Sequence, residues 1–132
     1  MFSNLEIIYR DENYLAINKP SGLLVHPTKI AAHDTEFAVK LLAQQIQQEV
    51  YPIHRIDRKT SGVLLFALHS EAARKIQKSF TERKAKKQYL AIVRGFFPDY
   101  IELNHALKHE TKGIQDAETH FCLLYTSPSP RD

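Results

Sequence analysis

The chain has 132 residues, 43% apolar and 25% charged with a net charge of +3, an ordinary globular composition for one domain or part of one. It contains no run of 18 apolar residues, so no membrane span is expected, and MFSNLEIIYRDE at its start reads as no signal peptide. A single cysteine, Cys122, excludes an internal disulfide framework and suits the reducing cytoplasm, where the protein is expected to reside.

Residues 5–9 and 14–18 are short apolar runs separated by the turn-like Asp11-Glu12-Asn13, which predicts a pair of strands. Pro20-Ser21-Gly22 breaks the chain, and Leu23-Leu24-Val25 leads on to His26-Pro27. Lys19, just before this break, reads as a turn lysine with no role. A helix is expected over about residues 36–49, capped by Asp34 or Thr35, with Ala38, Leu41, Leu42 and Ile46 on one face and Tyr51-Pro52 as its end. Residues 63–68 (VLLFAL) form the continuous apolar run of a buried strand. A second helix, about 71–83, is expected behind a Ser70 cap, with Ala73, Ile76 and Phe80 as its buried stripe. Residues 88–94 (QYLAIVR) alternate and are β-rich, which predicts a strand ended by Gly95. Beyond Pro98 the pattern weakens. Residues 101–107 read as one more strand and 118–121 as the start of another. The last eleven residues, CLLYTSPSPRD, read as coil, and their likeness to a translated sequencing-adapter tail marks 122–132 as an aberrant, disordered tail after a partial domain at 1–121.

Two segments carry chemistry. Residues 54–62, HRIDRKTSG, place polar groups directly before an apolar strand, a common way to hold a site at the rim of a rigid sheet. Asp57 stands between Arg55 and Arg58, which would hold it ionised as a nucleophile or base. The competing reading is a turn with surface ion pairs, worth little. Residues 74–94 carry Arg74, Lys75, Lys78, Arg83, Lys84, Lys86, Lys87 and Arg94 against Glu82 alone. That excess suits a polyanion such as RNA, and the alternative is a solvated helix face with a charged connector. His105 and His109 are spaced like two ligands on a helix, yet no third ligand follows, so no metal is expected. Ser61, His54 and Asp57 have the residue types of a hydrolase triad without its nucleophile elbow.

His54-Arg55-Ile56-Asp57-Arg58-Lys59-Thr60-Ser61-Gly62 resembles the HRLDxxTSG signature of RluA-type RNA pseudouridine synthases, with Ile56 in place of Leu. Asn18-Lys19-Pro20-Ser21-Gly22 resembles the family's NKPSG segment, and residues 87–95 (KQYLAIVRG) resemble its KxYxAxVxG strand. The three blocks occur in order and the likeness covers about residues 4–121. The spacing from NKPSG to HRIDR and Ser70-Glu71-Ala72 look most like the tRNA pseudouridine-65 synthase branch, TruC.

The resemblance implies an α+β fold, the first half of a mixed, mainly antiparallel sheet with flanking helices. It implies that a uridine in structured RNA, tRNA before ribosomal RNA, is isomerised to pseudouridine. Asp57 matches the catalytic aspartate and Tyr89 the tyrosine that stacks on the target base. Arg55 matches an arginine entering the RNA stack, and His54, Thr60 and Ser61 match residues that shape the loop and bind substrate. Lys84, Lys86 and Lys87 are the candidates for RNA-backbone contact. Isomerisation needs neither redox change nor external energy, so no cofactor is expected. The family's later GRTHQLRxH block, whose arginine pairs with the aspartate, does not occur in the sequence. This stretch alone is therefore expected to be inactive, and the competing reading is a non-catalytic RNA-binding fragment.

Overall fold

The computed structural model describes residues 2–29, 36–109, 113–115 and 117–126. The chain divides into two compact units, Met1–Lys87 and Gln88–Asp132.

The first unit is built on a four-stranded sheet. Strands β1 (Glu6–Arg10) and β2 (Tyr14–Lys19) form the expected antiparallel pair, with a register shift between Ile7 and Tyr9. Asp11 closes their turn, its Oδ1 accepting from the amides of Asn13 and Tyr14 at 2.7 Å each. Helix α1 (Ala38–Ile46) follows, then β3 (Tyr51–Pro52), β4 (Gly62–Ala67) and α2 (Ser70–Thr81). The sheet order is β1-β2-β4-β3, and every neighbouring pair is antiparallel.

Side chains alternate across β2 and β4, so each face takes its own helix. Leu15, Ile17, Leu64 and Phe66 join Ala38 and Leu42 of α1 in the larger core. Leu65 and Ala67, on the opposite face, meet Ala72, Ala73, Ile76 and Phe80 of α2. Full burial of side chains such as Leu15 and Phe66 stabilises by about 1.5–3 kcal/mol each, which makes the β2–β4 pair the centre of the unit.

Several local expectations are corrected. The first helix does not run to Tyr51-Pro52; it stops at Ile46, where Gln47 turns left-handed (φ 53°), and Tyr51-Pro52 pairs with β4 instead. Phe37 stands at its N-cap position without a side-chain cap bond, and the expected caps Asp34 and Thr35 lie outside the described residues. Ser70 is inside α2, and the cap is His69, whose Nδ1 accepts from the Ala72 amide at 3.2 Å. That helix ends at Thr81, because Arg83 is left-handed (φ 57°).

The described residues of the second unit form two antiparallel ribbons. Strand β5 (Tyr100–Asn104) pairs with β8 (Glu118–Cys122), and β6 (Leu107–His109) with β7 (Gly113–Gln115). The run expected as one strand over 101–107 is thus split between two ribbons. Cys122 lies in β8, opposite Tyr100, not in a coil tail. Residues 123–126 have no regular structure, and the remainder of the expected tail lies outside the described residues. No strand forms over 88–94, for a physical reason: alternation gives a preference for extended backbone, but a strand needs a partner to satisfy its amides. Among the described residues none pairs with this segment.

Candidate active-site loop

The HRIDRKTSG segment leaves the sheet after β3 and returns to it as β4. Its middle is a turn, with the Thr60 amide donating to the Asp57 carbonyl at 3.0 Å. Gly62 closes the loop with φ 125°, a backbone that side-chain-bearing residues rarely adopt. Asp57, Arg55 and Ser61 are exposed, while Thr60 is half-buried.

The NKPSG turn grips this loop from the side. Lys19 is fully buried, at 0% exposure, and its ammonium donates to the carbonyls of Pro20 (2.8 Å), Leu23 (2.7 Å) and Arg58 (3.0 Å). The Gly22 amide also donates to the Arg58 carbonyl at 2.7 Å, from a left-handed φ of 95°. Ser21 Oγ donates to the Lys59 carbonyl at 2.7 Å. Three bonds to the carbonyls of Arg58 and Lys59, one of them from the buried cation, therefore fix the backbone just after Asp57. Burial pushes the Lys19 ammonium below its usual range, and the Asp57 carboxylate acts against that shift. The buried Lys19 ammonium and the Asp57 carboxylate are thus within electrostatic reach of each other.

The reading of Lys19 as a turn lysine with no role is accordingly corrected. A sequence signal for its burial exists: Leu15, Ile17 and Lys19 share the inward face of one strand by period-two alternation.

His54 is half-buried, and its ring faces the sheet. Nε2 accepts from the Leu65 amide at 3.0 Å, and the ring stacks on Phe80 at 5.6 Å and 20°. Burial first, and the Lys87 charge second, hold the imidazole below its ordinary pKa. Lys87 Nζ lies 5.4 Å from the centre of the Phe80 ring. Lys84, Lys86 and Lys87 are all exposed, and Lys84 pairs with Glu82 at 2.6 Å. Ser61 lines an open cleft with Ser3, Glu6, Asn18 and Pro20. A second groove, along α2, contains none of residues 54–61.

Tyr89 belongs to the second unit and is exposed. In that unit Tyr100 Oη lies 2.6 Å from His120 Nδ1, and His120 Nε2 lies 2.7 Å from Glu118 Oε1. Glu102 completes a cluster of potential ligand atoms, all on exposed side chains. His105 and His109 do not share a helix: one follows β5 and the other ends β6.

Residues 13–128 match the family model described as RNA pseudouridylate synthase. The chain is 49% identical over 112 residues to the tRNA pseudouridine synthase C of Vibrio parahaemolyticus, covering 85% of this chain and 46% of that protein. It is 52% identical over 104 residues to the tRNA pseudouridine synthase C of Haemophilus ducreyi, covering 79% and 43%. It thus spans about half the length of these curated relatives. In structure it resembles human RNA pseudouridylate synthase domain containing 1, with a TM-score of 0.72 at 25% identity, covering 92% of this chain and 52% of that one.

Proposed function

Because the chain belongs to the RNA pseudouridylate synthase family, we propose that it supplies the aspartate-bearing part of an enzyme that isomerises a uridine of tRNA to pseudouridine. The observation that carries this reading is the HRIDRKTSG loop, held against the NKPSG turn by hydrogen bonds from Lys19, Ser21 and Gly22 to the carbonyls that follow Asp57. The choice of tRNA over ribosomal RNA rests on the names of the relatives.

The reaction breaks the bond between uracil N1 and the ribose anomeric carbon, turns the base, and joins C5 to that carbon. N1 gains a proton and C5 loses one, so atoms and electrons balance without a redox partner or cofactor. Asp57 starts the exchange, by attack on the anomeric carbon or by removing the ribose 2′ proton. The target base must first leave the stack. Arg55, exposed on the loop, is the proposed wedge, and Tyr89 is the stacking partner. Thr60 and Ser61 shape the far end of the loop against the substrate. Lys84, Lys86 and Lys87 meet phosphates. The 132-residue chain by itself is proposed to be inactive, since it contains no arginine-bearing block to face Asp57.

The test uses the chain continued to the length of its relatives and tritium release from tRNA labelled at uridine C5. Asp57→Asn keeps the shape and removes the charge; release should fall below detection while tRNA binding persists. Turnover by this variant overturns the role of Asp57. Release from ribosomal RNA but not tRNA overturns the substrate class.

A further inference from the structure

Strand pairing between β3 and β4 predicts a bond that the structure does not make with main chain. Tyr51 lies opposite Ala67 and Pro52 opposite Phe66, so Ile53 continues the register opposite Leu65. The Ile53 amide does donate to the Leu65 carbonyl, at 3.2 Å. In an antiparallel pair of this kind the Leu65 amide would donate back to the Ile53 carbonyl. It donates instead to His54 Nε2 at 3.0 Å. The chain has turned away from the sheet, and an imidazole nitrogen has taken the place of the departing carbonyl.

This fixes the chemical state of the ring. A backbone amide can only donate, so Nε2 is unprotonated and the neutral ring carries its proton on Nδ1. The Phe80 ring, stacked on His54, holds the imidazole in the plane needed to accept. Three residues further on stands Asp57. Lys19, Gly22 and Ser21 hold the loop after Asp57, through the carbonyls of Arg58 and Lys59. His54 is the corresponding fixture before it.

We propose that His54 is a positioning residue, a neutral side-chain substitute for a strand carbonyl that fixes where the Asp57 loop leaves the sheet. It acts on the reaction through the backbone and does not touch the uridine. The proposal deepens the functional reading given above and rests on Asp57 being the catalytic group.

Two measurements test it. On the wild-type chain, nitrogen chemical shifts of the His54 ring should show Nδ1 protonated and Nε2 bare at neutral pH, with the Leu65 amide protected from exchange. A proton on Nε2 overturns the proposal whatever the variants do, and this result does not depend on the role of Asp57. In the full-length protein, His54→Leu removes the acceptor, while His54→Gln keeps an oxygen at nearly the reach of Nε2. His54→Leu should lower kcat roughly 10–100-fold with little change in KM, the loss expected of a misplaced reacting group. His54→Gln should recover most of that loss and restore protection of the Leu65 amide. A rise in KM at unchanged kcat would mean that His54 contacts RNA directly, and equal kcat losses in both variants would mean that acceptance is not its function; each result overturns the proposal. Activity of Asp57→Asn in the same assay would sink the catalytic reading separately.

Discussion

Lys19 shows how a single side chain ties two segments of sequence into one site. A buried ammonium costs stability unless its protons are satisfied, and three carbonyl oxygens satisfy it here. Lys19→Met would keep much of the apolar stem and leave the Pro20 and Leu23 carbonyls without their charged donor, whereas the Arg58 carbonyl keeps the Gly22 amide. The expected loss is about 1.5–3 kcal/mol in urea unfolding, the range for a hydrogen bond to a charged group. A variant as stable as wild type would show that the ammonium only offsets its own desolvation. His54 adds a pH signature. Its folded pKa lies below the ordinary histidine value of 6.5, so between the folded value and 6.5 the unfolded chain binds a proton that the fold refuses. Stability should therefore fall as pH drops from about 6.5 toward the folded pKa, and level off beneath it. Urea midpoints across this range, compared between wild type and His54→Gln, read the effect directly; parallel curves would remove it.

At the scale of elements, what the sequence reveals follows from how local each element is. The hairpin β1–β2, the two helices and β4 all announce themselves by periodicity and turn residues, and all four appear. Helix α2 buries Ala72 and packs Ala73, Ile76 and Phe80 beneath an exposed basic side, as its pattern predicts. Strand β3 is hidden from such a reading because two residues carry no period and Pro52 lacks an amide, which confines it to an edge. The Asp57 loop is legible as a polar run before an apolar strand, and alternation along β2 places Lys19 on the inward face, but the contacts that fix the loop are not legible. They depend on which carbonyls Lys19 reaches and on where β3 and β4 part company, and both are pairing facts. The basic segment after α2 gives a graded prediction. Lys86→Gln and Lys87→Gln should each flatten the salt dependence of RNA binding, lowering the slope of log K against log salt by about 0.7–0.9 for each phosphate no longer neutralised. Lys84→Gln should flatten it less, because Glu82 already sits 2.6 Å from that ammonium. Filter binding across a salt series decides it, and slopes unchanged in all three variants would return these lysines to the solvated surface.

Across the whole molecule, burial is very uneven. Strands β2 and β4 are each paired on both edges, and the larger core and the α2 cluster cover their two faces. The described ribbons of the second unit have two strands each, an arrangement that is marginal in water without further cover. Leu90, Ile92 and Phe96 are almost wholly exposed, and Tyr89 and Val93 largely so, although QYLAIVR has the composition of a strand. Side chains of that kind, at that exposure, are what an unpaired strand presents to a partner. Protection from hydrogen exchange should follow this order. In the 132-residue chain the amides of β2 and β4 should exchange slowest, those of β5 and β8 faster, and those of 88–96 fastest of all. The same chain should bind a hydrophobic dye through the exposed apolar segment. When the chain is continued with the second half of a homologous synthase, the amides of 88–96 should become protected and the dye signal should fall. Mass-spectrometric exchange on the two proteins measures both. Strong protection of 88–96 in the shorter chain, or none in the longer one, would show that this segment is not a strand awaiting its neighbour.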